Sequence, residues 1–236
     1  MDKSFVSTLA LVTGASRGIG AAIAEALGRQ GAHVILTART VGGLEEVEDR
    51  IHSAGGSATI APLDLSDGES IAKLGAAIRE RWHALDFLVL NAAMLGTLTP
   101  VPQIDGKEFN RLLTLNLLAQ QALLATFDTM LRRSAAGRVI GISSGVAARP
   151  RAYWGAYAAS KAALDTLLLS YADEVVSLAP LKVAIVNPGP TATTMRAQAF
   201  PGEDPATLKH PTAVAEAIVE LLKNDFETGV RLEVEA

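Results

Sequence analysis

Short, almost uninterrupted apolar runs alternate along this chain with longer stretches in which apolar residues recur every three or four positions. The runs are Leu9–Thr13, His33–Ala38, Ala58–Pro62, Phe87–Leu90, Arg138–Ile142, Lys182–Val186 and Val230–Val234. Sets such as Ile19, Ala22, Ile23, Ala26, Leu27 and Val214, Ala217, Ile218, Leu221, Leu222 have helical spacing. A strand apolar at every position is buried on both faces, so helices must cover both sides of a parallel sheet. Right-handed crossovers then predict an α/β fold: a doubly wound parallel sheet of about seven strands with helices on both faces. No repeat, linker or low-complexity stretch interrupts the rhythm, and 236 residues suit one domain, 1–236.

Two helices are predicted to be longer and more apolar than a covering helix requires, over about residues 107–131 and 153–178. Leucines crowd both, so a homodimer or homotetramer through these helices is expected. From Thr194 to Pro211 the rhythm breaks at Pro201, Gly202, Pro205 and Pro211. This stretch follows a strand end, where ligands bind in open sheets, and reads as a short substrate lid.

Composition narrows the function by exclusion. A net charge of -4, from 21 basic and 25 acidic residues, gives no electrostatic case for nucleic acid or an anionic membrane. The absence of cysteine removes disulfides, thiolate metal sites and a cysteine nucleophile. His33, His52 and His83 have no ligand spacing with one another or with carboxylates, so no metal site is expected. No run reaches the length of a membrane span, and the N-terminus does not read as a signal peptide, so the expected location is cytoplasmic.

The first strand runs into Thr13-Gly14-Ala15-Ser16-Arg17-Gly18-Ile19-Gly20, which opens the first helix. Glycines let backbone turn tightly against a pyrophosphate, whose charge the helix N-terminus favours. The second strand ends at Ala38-Arg39, where an acid would meet a free ribose 2′-hydroxyl. Arg17 and Arg39, with no carboxylate there, favour a 2′-phosphate, hence NADP(H) over NAD(H).

Tyr157 and Lys161 stand four residues apart, one turn on the same helix face, with Ser144 thirteen residues before the tyrosine. An ammonium beside a phenol stabilises the phenolate left after proton donation. Gly141-Ile142-Ser143-Ser144-Gly145 also fits a hydrolase nucleophile elbow, but no helical register is expected before Pro150, and the only downstream histidine is His210.

Taken together in this order, the glycine loop, Ser144, Tyr157 and Lys161 resemble the classical short-chain dehydrogenase/reductase family, with its Rossmann-type fold, over essentially the whole chain. The resemblance implies a catalytic tetrad of Asn116, Ser144, Tyr157 and Lys161. It implies cofactor contacts at Gly14, Ser16, Arg17, Gly18, Ile19, Gly20, Arg39, Asp64, Leu65, Asn91, Ala92, Tyr157, Lys161, Pro188, Gly189, Thr191 and Thr193. Leu90 and Ala93 stand where the family usually has Asn and Gly, so packing beside the cofactor is altered. Hydride transfer between a nicotinamide and a carbonyl or alcohol carbon is the implied reaction. In it Tyr157 moves the proton, Lys161 lowers the tyrosine pKa, Ser144 polarises the carbonyl and Asn116 completes the relay. Met94, Leu95, Ser144, Gly145, Val146, Tyr153, Trp154, Met195 and Phe200 are the expected lining of a largely apolar substrate pocket. The alternative is an NADP-binding sensor or scaffold of the same fold without significant turnover.

Overall fold

The computed structural model describes residues 3–235. Its seven strands are β1 (Leu9–Thr13), β2 (His33–Thr37), β3 (Ser57–Ile60), β4 (Phe87–Leu90), β5 (Arg138–Ile142), β6 (Lys182–Asn187) and β7 (Val230–Glu233). They form one parallel sheet in the order β3-β2-β1-β4-β5-β6-β7. Because the order reverses between β1 and β4, their crossovers leave on opposite sides and open a crevice at the carboxyl ends of these strands.

Successive residues of each inner strand feed opposite cores. Ala10, Val12, Val34, Leu36, Val89, Ile140 and Val186 pack beneath α1 (Gly18–Arg29), α2 (Val41–Ser53) and α9 (Pro211–Lys223). Leu11, Ile35, Leu88, Val139 and Ile185 pack beneath α3 (Gly68–Arg81), α5 (Ala119–Arg133) and α7 (Gly155–Val175). Each fully buried aliphatic side chain contributes roughly 1.5–3 kcal/mol, so the continuous apolar runs are what a two-sided core demands. At the sheet edge β7 alternates half-buried Val230 and Leu232 with the more exposed Arg231 and Glu233.

The expected helix over 107–131 is divided. α4 (Gly106–Leu113) passes through a π-helical turn, Thr114–Leu118, into α5. Such a turn inserts one residue without changing the apolar character of its surroundings, so side-chain periodicity does not reveal it. It turns Asn116 fully inward. Leu118, by contrast, is 58% exposed. The stretch expected to be a lid is folded: α8 (Thr194–Ala199), a 3-10 turn at Pro205–Thr207, and a bridge from Lys209 back to Thr191. Among the described residues, no helix is long and apolar enough to cross a membrane.

Candidate active site

The glycine loop is shaped by contacts that leave no room for side chains. Gly14 has φ +64°, and a Cβ there would lie 2.9 Å from Asn91 Nδ2. At Gly20 a Cβ would lie 2.3 Å from the Gly14 carbonyl oxygen. Thr13 anchors this junction: its hydroxyl donates to the Val89 carbonyl (3.0 Å) and accepts the backbone N–H groups of Asn91 and Ala92 at 2.9 and 3.0 Å. The Asn91 amide donates to the Thr13 carbonyl at 2.8 Å. The result is a bare concave backbone at the start of α1, which fits the pyrophosphate of a dinucleotide. Arg17 and Arg39 are exposed beside it. Neither pairs with a carboxylate among the described residues.

Opposite the glycine loop lies the loop after β6. Thr193 faces Gly18, where a Cβ would come 3.5 Å from its methyl group. Its hydroxyl accepts the Arg196 N–H and caps α8. Thr191 is buried, and its hydroxyl donates to the carbonyls of Pro188 and Gly189 at 3.1 and 3.2 Å. That hydroxyl braces its own loop instead of facing the cleft. At the far strand, Asp64 is exposed and accepts the Ser66 N–H, whereas the Leu65 side chain is buried in the core. Only the backbone of Leu65 is left to meet a cofactor.

α7 carries Tyr157 and Lys161 inward together, 7% and 2% exposed. Burial pushes the Tyr157 phenol up to about 12, and the Ser144 hydroxyl facing it pulls the other way. Burial also draws Lys161 down to about 8, opposed by the carboxylate of Asp165 one turn further on. The Lys161 ammonium donates to the Ile142 carbonyl at 2.7 Å and lies 5.9 Å from the Tyr157 ring centroid. For the phenol, burial is the larger of the two influences. Asn116 meets this pair indirectly. Its amide donates to the Met94 carbonyl (2.9 Å) and to the Ser160 hydroxyl (3.1 Å), and its carbonyl accepts the Met94 N–H (2.9 Å). It locks the segment after β4 to α7.

Beside the phenol, Leu95, Val146, Tyr157 and Ala158 form a small buried cluster, with Leu98, Trp154, Met195 and Ala199 packed against it. Trp154 meets Tyr157 edge-on at 6.0 Å and Phe200 at 5.7 Å. Arg196 stacks 3.8 Å above Phe200 and holds Glu203 through two hydrogen bonds of 2.6 and 2.5 Å. α8 is therefore tied down on the aromatic wall.

Most of the residues expected at the site converge at the carboxyl edge of the sheet, with three corrections. Tyr153 is 60% exposed with φ +72°, so it stands on the rim instead of lining the pocket. Leu90 is buried beneath α5 and α7, so its departure from the family pattern fills the core and leaves the cleft alone. A single helical turn, α6 (Gly145–Ala148), does begin at Ser144, contrary to the register expected before Pro150. Its capping by Ser144 is compatible with a short turn that four small residues can form. His210 still offers no partner for a nucleophilic serine, because its ring caps α9 at Thr212. Thr13, Ser160, Leu98 and the Arg196–Glu203 pair were not foreseen. Only Thr13 carried a signal, as the polar residue ending an apolar run before glycine. Among the described residues, no group of three or more histidine or acidic side chains is arranged to hold a metal.

A family model for short chain dehydrogenases matches residues 8–204. YciK of Escherichia coli K12, an uncharacterised oxidoreductase, is 35% identical over 230 residues, covering 95% of this chain and 90% of its own. A Shigella flexneri 2a structure of the same family, complexed with NADP, superposes with a TM-score of 0.95 at 34% identity, covering 100% of both chains. An Escherichia coli CFT073 structure complexed with NADPH has a TM-score of 0.94 at 34% identity, covering 99% of both chains.

Proposed function

The chain belongs to the short-chain dehydrogenase family, and from that premise we propose that it is an NADP(H)-dependent oxidoreductase interconverting a carbonyl and an alcohol. One observation carries the reading: a buried Tyr157–Lys161 pair faces Ser144 across the crevice from a glycine cradle flanked by two guanidiniums that pair with no carboxylate among the described residues. Bound nicotinamide supplies or accepts the hydride. The rest falls to this chain.

Backbone N–H groups of the Gly14–Gly20 loop hold the pyrophosphate, and Arg17 and Arg39 hold the 2′-phosphate. Asp64, Leu65, Asn91 and Ala92 border the adenosine half, and the loop from Pro188 to Thr193 borders the nicotinamide. Ser144 donates a hydrogen bond that orients and polarises the carbonyl. In reduction Tyr157 gives its phenolic proton to the carbonyl oxygen, and in oxidation it takes one back. Lys161 resupplies the proton, while Asn116 fixes the segment that carries Met94 and Leu95.

Leu95, Val146, Trp154, Met195 and Phe200 favour a hydrophobic or aromatic carbonyl compound, with residues 194–211 as the lid. A homodimer or homotetramer through α4–α5 and α7 and a cytoplasmic location complete the proposal.

Fluorescence-detected binding of NADPH and NADH tests the cofactor reading. NADPH is expected to bind at least about tenfold tighter, and Arg39→Ala to lose most of that difference. Equal or tighter binding of NADH would refute the assignment of the arginines.

A further inference from the structure

Asp165 continues the stripe that Tyr157 and Lys161 begin. The three residues stand at intervals of four on α7, so their side chains line one face in consecutive turns. The Asp165 side chain is only 6% exposed and sits between the core residues Leu164 and Leu168. A carboxylate is not kept ionised in such a layer without a cation. Two are at hand. Arg231, reaching in from β7, donates from Nη1 to Asp165 Oδ2 at 2.5 Å. Lys161, one turn back, is the other. Asp165 Oδ1 is buried and takes no hydrogen bond from any described residue.

We propose that Asp165 is a positioning residue of the proton-transfer machinery: its buried carboxylate, anchored by Arg231, holds Lys161 in the charged form beside Tyr157. This rests on the reading of Tyr157 and Lys161 as the proton-transfer pair.

The surroundings of Lys161 leave the task to Asp165. On α7 it lies beside the Tyr157 ring, with Asp165 one turn further on, and from β5 it meets the Ile142 carbonyl. Among the described residues, Asp165 is the charged group whose field opposes the burial of the ammonium. Arg231, bound to Asp165 from β7, brings a positive charge that opposes part of that field. A plain structural tie between α7 and the edge strand would need the hydrogen bond but not the charge. That difference makes the two roles separable.

Asp165→Asn keeps the size of the side chain and an oxygen that can still accept from Arg231, while removing the charge. The Lys161 side chain is followed by NMR titration of protein carrying isotope-labelled lysine, its signal assigned from its loss in Lys161→Arg. In Asp165→Asn the Lys161 midpoint is expected to fall by about one pH unit, because a buried carboxylate one helical turn away favours the charged form. In Arg231→Gln, which leaves the carboxylate unopposed, the midpoint is expected to rise. With an active carbonyl substrate, the alkaline limb of kcat/KM moves in parallel while the KM for NADPH holds. An unmoved Lys161 midpoint in Asp165→Asn, or a shift of the same sign in both variants, overturns the proposal. If Asp165→Asn does not fold, Arg231→Gln decides alone: a rise supports the proposal and no rise overturns it. Failure of the parent protein to reduce any carbonyl would defeat the oxidoreductase reading instead, and leaves the lysine titration readable.

Discussion

Gly20→Ala separates want of space from want of conformational freedom in the cofactor loop. Gly20 lies inside α1 with ordinary helical backbone, so alanine is locally preferred there by about 1 kcal/mol. The added methyl, however, would lie 2.3 Å from the Gly14 carbonyl oxygen and 2.5 Å from Asn91 Nδ2. Neither neighbour can swing aside, since one is backbone and the other is bonded to the Thr13 carbonyl. Overpacking of this kind costs about 1–3 kcal/mol, and displacing Asn91 forfeits a further hydrogen bond of about 1 kcal/mol. Less the helix preference, the net cost is about 1–3 kcal/mol, or a Tm lowered by roughly 3–10 °C for a chain of this size. Gly18→Ala is the counterpart. Its methyl would meet only Thr193 at 3.5 Å, but φ +59° strains any side chain by about 1–2 kcal/mol. Thermal melts with and without NADPH, beside fluorescence titration, read both variants. Gly20→Ala should also lose NADPH affinity by tenfold or more, because the loop must move off Asn91. A Gly20→Ala protein that melts and binds NADPH like its parent would refute the packing argument.

Further outcomes follow from the same geometry. Lys161 binds its proton up to about 8 when folded but up to 10.5 when unfolded, so its burial weakens the fold at neutral pH, and stability rises with pH between those values. Lys161→Met should remove a cost of about 3 kcal/mol and leave the Ile142 carbonyl unpaired at about 1–2 kcal/mol, so activity is lost while the Tm rises by a few degrees. A fall in Tm on differential scanning calorimetry would contradict this. Arg196→Ala unties α8 from Glu203 and Phe200. Steady-state kinetics should give a severalfold higher KM for the carbonyl with the KM for NADPH little changed, and because the ion pair is partly exposed, stability should fall by no more than about 1 kcal/mol.

The strands were legible to within a residue or two because burial on both faces writes itself as continuous apolar runs, as in Leu9–Thr13 and Phe87–Leu90. The glycine loop and the Tyr157–Lys161 spacing were legible because each lies within one local element. What escaped depends on contacts between distant segments. Thr13 acts on Asn91 and Ala92 across 78 and 79 positions, and Asp165 meets Arg231 across 66. The π-helical turn escaped for another reason: Thr114–Leu118 keeps the apolar pattern of the helices on either side. Tyr153 was misplaced because its positive φ turns the chain just before α7, which residue type does not announce.

The central claim is that Tyr157 moves the proton in a hydride-transfer reaction. It is tested most directly by NADPH-dependent carbonyl reduction in Tyr157→Phe, beside NADPH binding by the same preparation. The account predicts unchanged binding and a kcat lower by about 10²–10⁴, the usual share of a positioned general acid. A variant that binds NADPH normally and keeps kcat within a few fold of its parent would contradict it.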